Sequence, residues 1–333
     1  MRKFNILPLG FPWKTKDPFI FCVHHRDEFP AGNENMGPSV TLTGRNIGND
    51  FTIKDGWRMY HGSEVPGFPY HPHRGFETVT ITKEGWIDHT DSMGASGRFG
   101  EGDVQWMTAG RGVLHSEMFP LLHQDKGNTT ELFQLWLNLP KRSKFVEPHF
   151  KMLWQKDIPS IQLKEANGRI TQIEVIAGNF QNYQALEPTP DSWAADKANE
   201  VGIYTIQIDA EGTFELPQRN EGVDCMLYFY EGNGLKVNGT EIPSYHAIEL
   251  LTTESIQIEA GKETCKLLIL QGKPINEPVV QYGPFVMNSE QEIHEAFAEY
   301  RQTQFGGWPW PKSEYVHPRE QGRFAKHADG RVE

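Results

Sequence analysis

Cysteine is scarce: Cys22, Cys225 and Cys265 are the whole complement, far apart and odd in number. That excludes a disulfide framework and a metal site built from thiolates. Basic runs are missing too. With 44 acidic residues against 32 basic, the net charge is −12 and no local Lys/Arg patch offsets it, so direct binding to nucleic acid is not expected. No uninterrupted apolar stretch reaches the length that spans a membrane. The opening, Met1-Arg2-Lys3-Phe4-Asn5-Ile6-Leu7-Pro8, has a basic start but lacks the apolar segment of a signal peptide. A soluble, cytoplasmic protein without membrane partners is the expectation.

What the chain has in quantity is turn residues: 32 glycines and 22 prolines across 333 residues, punctuating short apolar runs. This pattern favours strands, and the length favours two domains. Val40-Thr41-Leu42-Thr43 and Glu77-Thr78-Val79-Thr80-Ile81-Thr82 are rich in β-branched residues. The second runs through Glu84-Gly85 into Trp86-Ile87-Asp88-His89, which predicts a hairpin. Phe133 to Leu139 alternates strictly before Pro140. Composition shifts at Leu186-Glu187-Pro188-Thr189-Pro190-Asp191-Ser192, marking a linker or a docked crossover over 186–200. Strand patterns then resume, with Val237-Asn238-Gly239-Thr240 as a tight turn. One helix is predicted from Ser289, whose spacing to Glu292 suits a capping box and whose stripe runs through Ile293, Ala296, Phe297 and Tyr300 to a stop at Gly306-Gly307. The fold class is all-β: an N-terminal domain over 1–185, a second over 201–288, and a helix and tail over 289–333 that pack back on the body.

The chemistry concentrates in two pairs, His71-Pro72-His73 and His115-Ser116-Glu117. Along a strand, residues two apart share a face and lie roughly 6.6 Å apart, so each pair can lean onto one ion. Three imidazoles and a carboxylate suit a first-row transition metal better than Ca²⁺ or Mg²⁺. Glu77, four residues beyond His73, would share the face of a regular strand, and is the rival carboxylate. Between 200 and 280 the sole histidine is His246, so the second domain is expected to hold no metal.

The run Gly67-Phe68-Pro69-Tyr70-His71-Pro72-His73-Arg74-Gly75-Phe76-Glu77-Thr78-Val79 resembles the first motif of a cupin barrel, and Gly102 to Met118 resembles the second. In this form both resemble the pirin family, of which the chain reads as a longer, bacterial-type member. The likeness continues at Asp17-Pro18-Phe19, at Leu135 to Pro140 and at Pro278 to Asn288. It implies two tandem cupin barrels (jelly-roll, double-stranded β-helix), with a metal in the N-terminal one only. The pirin-type ligands fall on His71, His73, His115 and Glu117, leaving Glu77 as their hydrogen-bonding neighbour or an alternative ligand.

The same resemblance implies one divalent metal, Fe(II) foremost, with Mn, Co, Ni, Cu or Zn as alternatives. It implies either of two functions. One is a dioxygenase of quercetin-type flavonols or related phenolics, using a small aromatic substrate and O₂, with Glu117 as general base. The other is a non-catalytic iron redox sensor that acts through a protein partner. Phe76, Trp106 and Met107 fit a barrel interior, as packing or as a slot for a planar ligand. His24, His25 and His61 read as hydrogen-bonded loop histidines, with a contact at the barrel mouth as the functional alternative. His89 reads as structural. Arg74 and Arg111 read as partners of carboxylates.

Overall fold

The computed structural model describes residues 3–333; the basic start at Met1 and Arg2 lies outside the described residues. Strands dominate, as the turn-rich composition predicts, and the described residues resolve into two compact units, one of residues 23–155 and 277–333 and the other of residues 3–22 and 156–276.

The unit containing the histidine motifs has two five-stranded sheets. One runs in the order His149–Leu153, Val104–Thr108, Phe76–Glu84, Asn128–Asn138, Phe19–Phe29, the last strand crossing the division between units at residue 22. The other runs Phe324–Lys326, Ser96–Gly100, Trp86–Asp91, Val113–Met118, Gly67–His73. The alternation predicted for Phe133 to Leu139 is present: Phe133, Leu135 and Leu137 are fully buried while Gln134 and Trp136 are less so. An apolar core of Phe29, Trp57, Tyr60, Ile87, Phe99, Phe119 and Leu132, among others, closes one region of this unit.

The tail after the helix is bound into the same unit. Its strand Phe324–Lys326 pairs with Ser96–Gly100. Tyr70 stacks on Trp308 with ring centres 4.9 Å apart, and the Glu314 carboxylate accepts from the amides of Ser63 and Glu64. The helix itself spans Glu290–Thr303 with the predicted cap, the Ser289 hydroxyl accepting from the Glu292 amide. It stops three residues before the glycines, because Gln304 takes the left-handed conformation at φ 49°.

The second unit has a seven-stranded sheet, Phe4–Pro8, His246–Leu250, Asp224–Glu231, Cys265–Gly272, Gly202–Ile208, Ile170–Ala177, Ser160–Lys164, and a four-stranded one. Its core is aliphatic, with Ile173, Val175, Leu227, Ile248 and Ile269 all buried completely. The turn at Asn238-Gly239 has φ of 48° and 75°, the geometry a two-residue hairpin demands.

Three expectations differ from what is observed. Glu84-Gly85 joins no hairpin, because Phe76–Glu84 and Trp86–Asp91 lie in different sheets. The compact units take bounds other than 1–185 and 201–288: Phe4–Pro8, Ser160–Lys164 and Ile170–Ala177 pair into the seven-stranded sheet, and 289–333 group with 23–155. The segment 186–200 is a docked crossover, with Trp193 Nε1 donating to the Lys273 carbonyl at 3.0 Å. Long-range pairing such as Phe4 with Leu250 leaves no local signal. Val40 to Thr43 is loop, not strand. The Thr43 amide turns back onto the Thr41 hydroxyl, and Val40 is exposed, so local side-chain bonding displaces the extended pattern.

Candidate metal centre

Gly67–His73 and Val113–Met118 are antiparallel neighbours, with His71 directly opposite His115. Paired residues, and residues two apart, point to the same face, which places His71, His73 and His115 together. Their ring centres are 4.5–4.8 Å apart pairwise, and one donor nitrogen from each lies within 4.8 Å of the others. His73 and His115 are buried, while His71 is half-buried and opens the cluster to one side.

The donor set fits a cation. Both ring nitrogens of His115 are buried and without a hydrogen-bond partner among the described residues, a costly arrangement for a polar ring unless something else engages it. His71 and His73 each face a carbonyl through Nδ1, Pro69 at 2.9 Å and Pro284 at 3.4 Å, which orients Nε2 of both as the available lone pair. Burial drives the imidazoles toward the neutral form: His71 is lowered to about 4, and His73 and His115 lie well below the usual histidine value, each further lowered by neighbouring imidazoles. Neutral imidazole is the form that ligates.

Glu117 shares this face but its carboxylate lies outside the three-histidine cluster. It is held from the facing sheet: Gln134 Nε2 donates to Oε2 at 3.1 Å, and the Thr80 hydroxyl is 2.8 Å from Oε1. The same hydroxyl is 2.6 Å from Gln134 Oε1. One hydroxyl proton serves one acceptor, so a protonated Glu117 completes the ring, and burial raises its pKa in that direction.

The contact between Thr80 and Glu117 fixes which face of Phe76–Glu84 looks inward. Thr80 pairs with Gln105 and Gln134, and Thr78 with Met107 and Trp136, so Phe76, Thr78, Thr80, Met107 and Trp136 face the histidines. Phe76 and Trp136 touch the His73 ring, at 4.9 and 5.3 Å between centres, and Met107 packs with Val113. Glu77 and Trp106 lie on the opposite face. Glu77 accepts from Thr108 at 2.7 Å, and Trp106 pairs with Val79. The parity argument that linked His73 to Glu77 breaks at Gly75, whose φ of +86° turns the chain from one sheet to the other. A Cβ there would meet the Val286 carbonyl oxygen at 2.0 Å.

The extra histidines divide. His24 stacks on Phe133 and bonds Glu131 at 2.8 Å, on the face away from the triad. His25 faces inward. Tyr60 donates to Asp27 at 2.5 Å, so the contact between His25 Nδ1 and the Tyr60 oxygen, 2.8 Å, has His25 as donor. Asp27 also receives two bonds from Arg58. Phe68 stands between His25 and His71, 6.1 and 6.3 Å from them by ring centres. His61 bonds the Gly48 carbonyl and abuts Phe68. Arg74 pairs with Glu299 and Arg111 with Glu147. Sequence reasoning missed Thr80, Gln134 and Asp91, and read His89 as structural alone. A signal existed, since His89-Thr90-Asp91 repeats the i, i+2 spacing of the two motifs.

Comparison with known proteins agrees with this architecture. The sequence profile described as Pirin matches residues 13–137, and that of the Pirin C-terminal cupin domain matches 203–306. A Pseudomonas aeruginosa protein, provisionally named a quercetin 2,3-dioxygenase, is 38% identical over 72% of this chain and 79% of its own. A pirin-like protein of Solanum lycopersicum is 36% identical over 72% and 78%. Among solved structures, a quercetin 2,3-dioxygenase from Acinetobacter baumannii superposes with a TM-score of 0.72 at 28% identity, over 92% of this chain and 99% of that one. With two cupin domains, their motifs in the expected places and relatives of this closeness, the chain belongs to the pirin family.

Proposed function

We propose that the protein is a metal-dependent dioxygenase of flavonols of the quercetin type or related phenolics. The observation that carries this reading is the pair of unpartnered, buried nitrogens of His115 within the three-histidine cluster; relatives named for quercetin dioxygenation support the substrate class. His71, His73 and His115 would hold one divalent transition metal, with Glu117 as the fourth donor and Fe(II) as the expected ion. Bound there, the ion supplies Lewis acidity toward an enolisable hydroxyl and redox capacity toward dioxygen. The residues around it do the rest. Phe76 and Trp136 shape an aromatic wall against His73 suited to a planar ligand. Glu117, once deprotonated, takes the substrate hydroxyl proton, and Gln134 and Thr80 hold the carboxylate for that transfer. Among the described residues the second cupin offers no His-based ligand cluster, and it is read as structural. Three buried free thiols accord with a reducing, cytoplasmic setting.

The test is metal analysis of protein purified without added metal, followed by oxygen uptake with quercetin. One ion per chain and uptake abolished by His73→Ala are expected. No uptake with iron, manganese, cobalt, nickel or copper loaded in turn would sink the proposal.

A further inference from the structure

The inner faces that carry the triad also carry polar groups the metal would not use. Register places His89 opposite Glu117 and Asp91 opposite His115, so His89 lies on the triad's face, its ring centre 5.6 Å from that of His115. On the facing sheet, Gln105 is paired with Thr80, and Thr78 is two residues along the same strand. His89, Gln105 and Thr78 are each completely buried. Yet His89 Nδ1, Gln105 Oε1, Gln105 Nε2 and Thr78 Oγ1 have no hydrogen-bond partner among the described residues. Unpaired buried polar atoms are rare in native interiors, and several on facing surfaces point to a bound hydrogen-bonding species.

From this we infer a second binding subsite inside the barrel, beside Glu117, formed by His89, Gln105 and Thr78 and suited to a hydroxyl oxygen, which both donates and accepts. The chemistry follows from the donors and acceptors left over. Asp91 Oδ2 lies 3.2 Å from His89 Nε2, while Oδ1 accepts from the amides of Met93 and Ala95. A carboxylate accepts only, so Nε2 carries a hydrogen and Nδ1 is the ring atom left facing the subsite. Phe150, stacked on the ring at 4.9 Å and 12°, fixes its plane. Nδ1 and the Gln105 amide, which offers both a donor and an acceptor, face the same interior. A hydroxyl satisfies both. The hydroxyl is that of ordered water or of a phenolic ligand reaching inward past the triad.

This deepens the proposed function, because the subsite adjoins Glu117 and His115, but its test does not depend on turnover. A crystal structure of the full chain at a resolution that orders waters, metal-free and again with catechol, is the experiment. Oxygen density within hydrogen-bond distance of His89 Nδ1 and the Gln105 amide is expected in both. Density that stays isolated with catechol identifies water as the occupant, and density continuous with the aromatic ring identifies the phenol. A dry interior, or a Gln105 amide bonded to protein groups, overturns the inference. As a second readout, Gln105→Leu lowers Tm by a few degrees if the subsite is occupied, since the occupant loses a partner. It raises Tm if the amide is idle, because an unpaired polar group is then replaced by apolar volume. Metal content and oxygen uptake are read separately, so a failed dioxygenase with an occupied subsite, or the reverse, is recognised as such.

Discussion

Arg98 and Asp88 form a two-point pair, Nε to Oδ1 and Nη2 to Oδ2 both at 2.7 Å, and neither side chain has any exposure. The same guanidinium donates to the carbonyls of His317, Pro318 and Gln321, and the His317 amide donates to Asp88. A buried charge is thus neutralised and its remaining donors are spent on the C-terminal tail. Arg98→Met leaves Asp88 charged and unpaired and is expected to cost about 3–5 kcal/mol. Urea unfolding measures the loss, and limited proteolysis should show cleavage between 308 and 333 at protease levels the parent resists.

Removing a triad imidazole should empty the site while preserving the fold. His115→Ala is expected to bring metal content to near zero by elemental analysis, with an unchanged far-ultraviolet spectrum. Gln134→Leu, which frees the Glu117 carboxylate from one of its donors, should weaken metal affinity by about 10–100-fold, the usual effect of disturbing a group that orients a ligand.

Glu117 and Glu77 separate cleanly. Glu117→Gln should lower flavonol turnover by about 10²–10⁴-fold if it serves as the base. Glu77→Gln, altering a carboxylate on the far face, should leave metal stoichiometry where it was. Loss of metal from the Glu77 variant would contradict the strand parity derived from the Thr80 contact.

His25 gives the protein a defined acid sensitivity. Burial, with Arg58 next in weight, lowers its pKa to about 3, whereas the unfolded chain takes up the proton near the ordinary value of about 6.5. Below that value the unfolded state binds more protons, so stability falls as the pH drops from about 6.5 toward 3, with a slope of up to about 1.4 kcal/mol per pH unit. Above that range His25 contributes no pH dependence. Unfolding free energies at pH 7, 6, 5 and 4 should show the decline, and His25→Gln should make it shallower.

The helix cap is a small, separable test. The Ser289 hydroxyl meets the Glu292 amide at 3.2 Å, and the Glu292 carboxylate reaches back to the Asn288 amide at 2.9 Å. Ser289→Ala should cost about 1 kcal/mol, read from the urea midpoint with no change in metal content.

What the sequence disclosed was local. The i, i+2 spacing of His71 with His73 needed only a strand, and a strand is what surrounds it. Glu77 was misplaced because periodicity carries across Gly75 on paper, whereas the backbone there reverses its face. The Ser289 cap was legible for the same reason that His71 was: each depends on residues within one turn or strand. Thr80 and Gln134 were not, since their value lies in reaching Glu117 from another sheet. The division of the chain was hidden for a similar reason, because Phe4–Pro8 finds its partner at His246–Leu250 and nothing in either segment names the other.

That pairing has a consequence for biosynthesis. As the ribosome delivers the chain, strand Phe4–Pro8 must wait for residue 250 to emerge before it can be seated, and the histidine-bearing barrel must wait for Phe324–Lys326. Domains ordinarily fold one after another during translation. Here the two are interleaved along the chain, so neither can finish early, and metal would enter a barrel completed only once its last strand is seated.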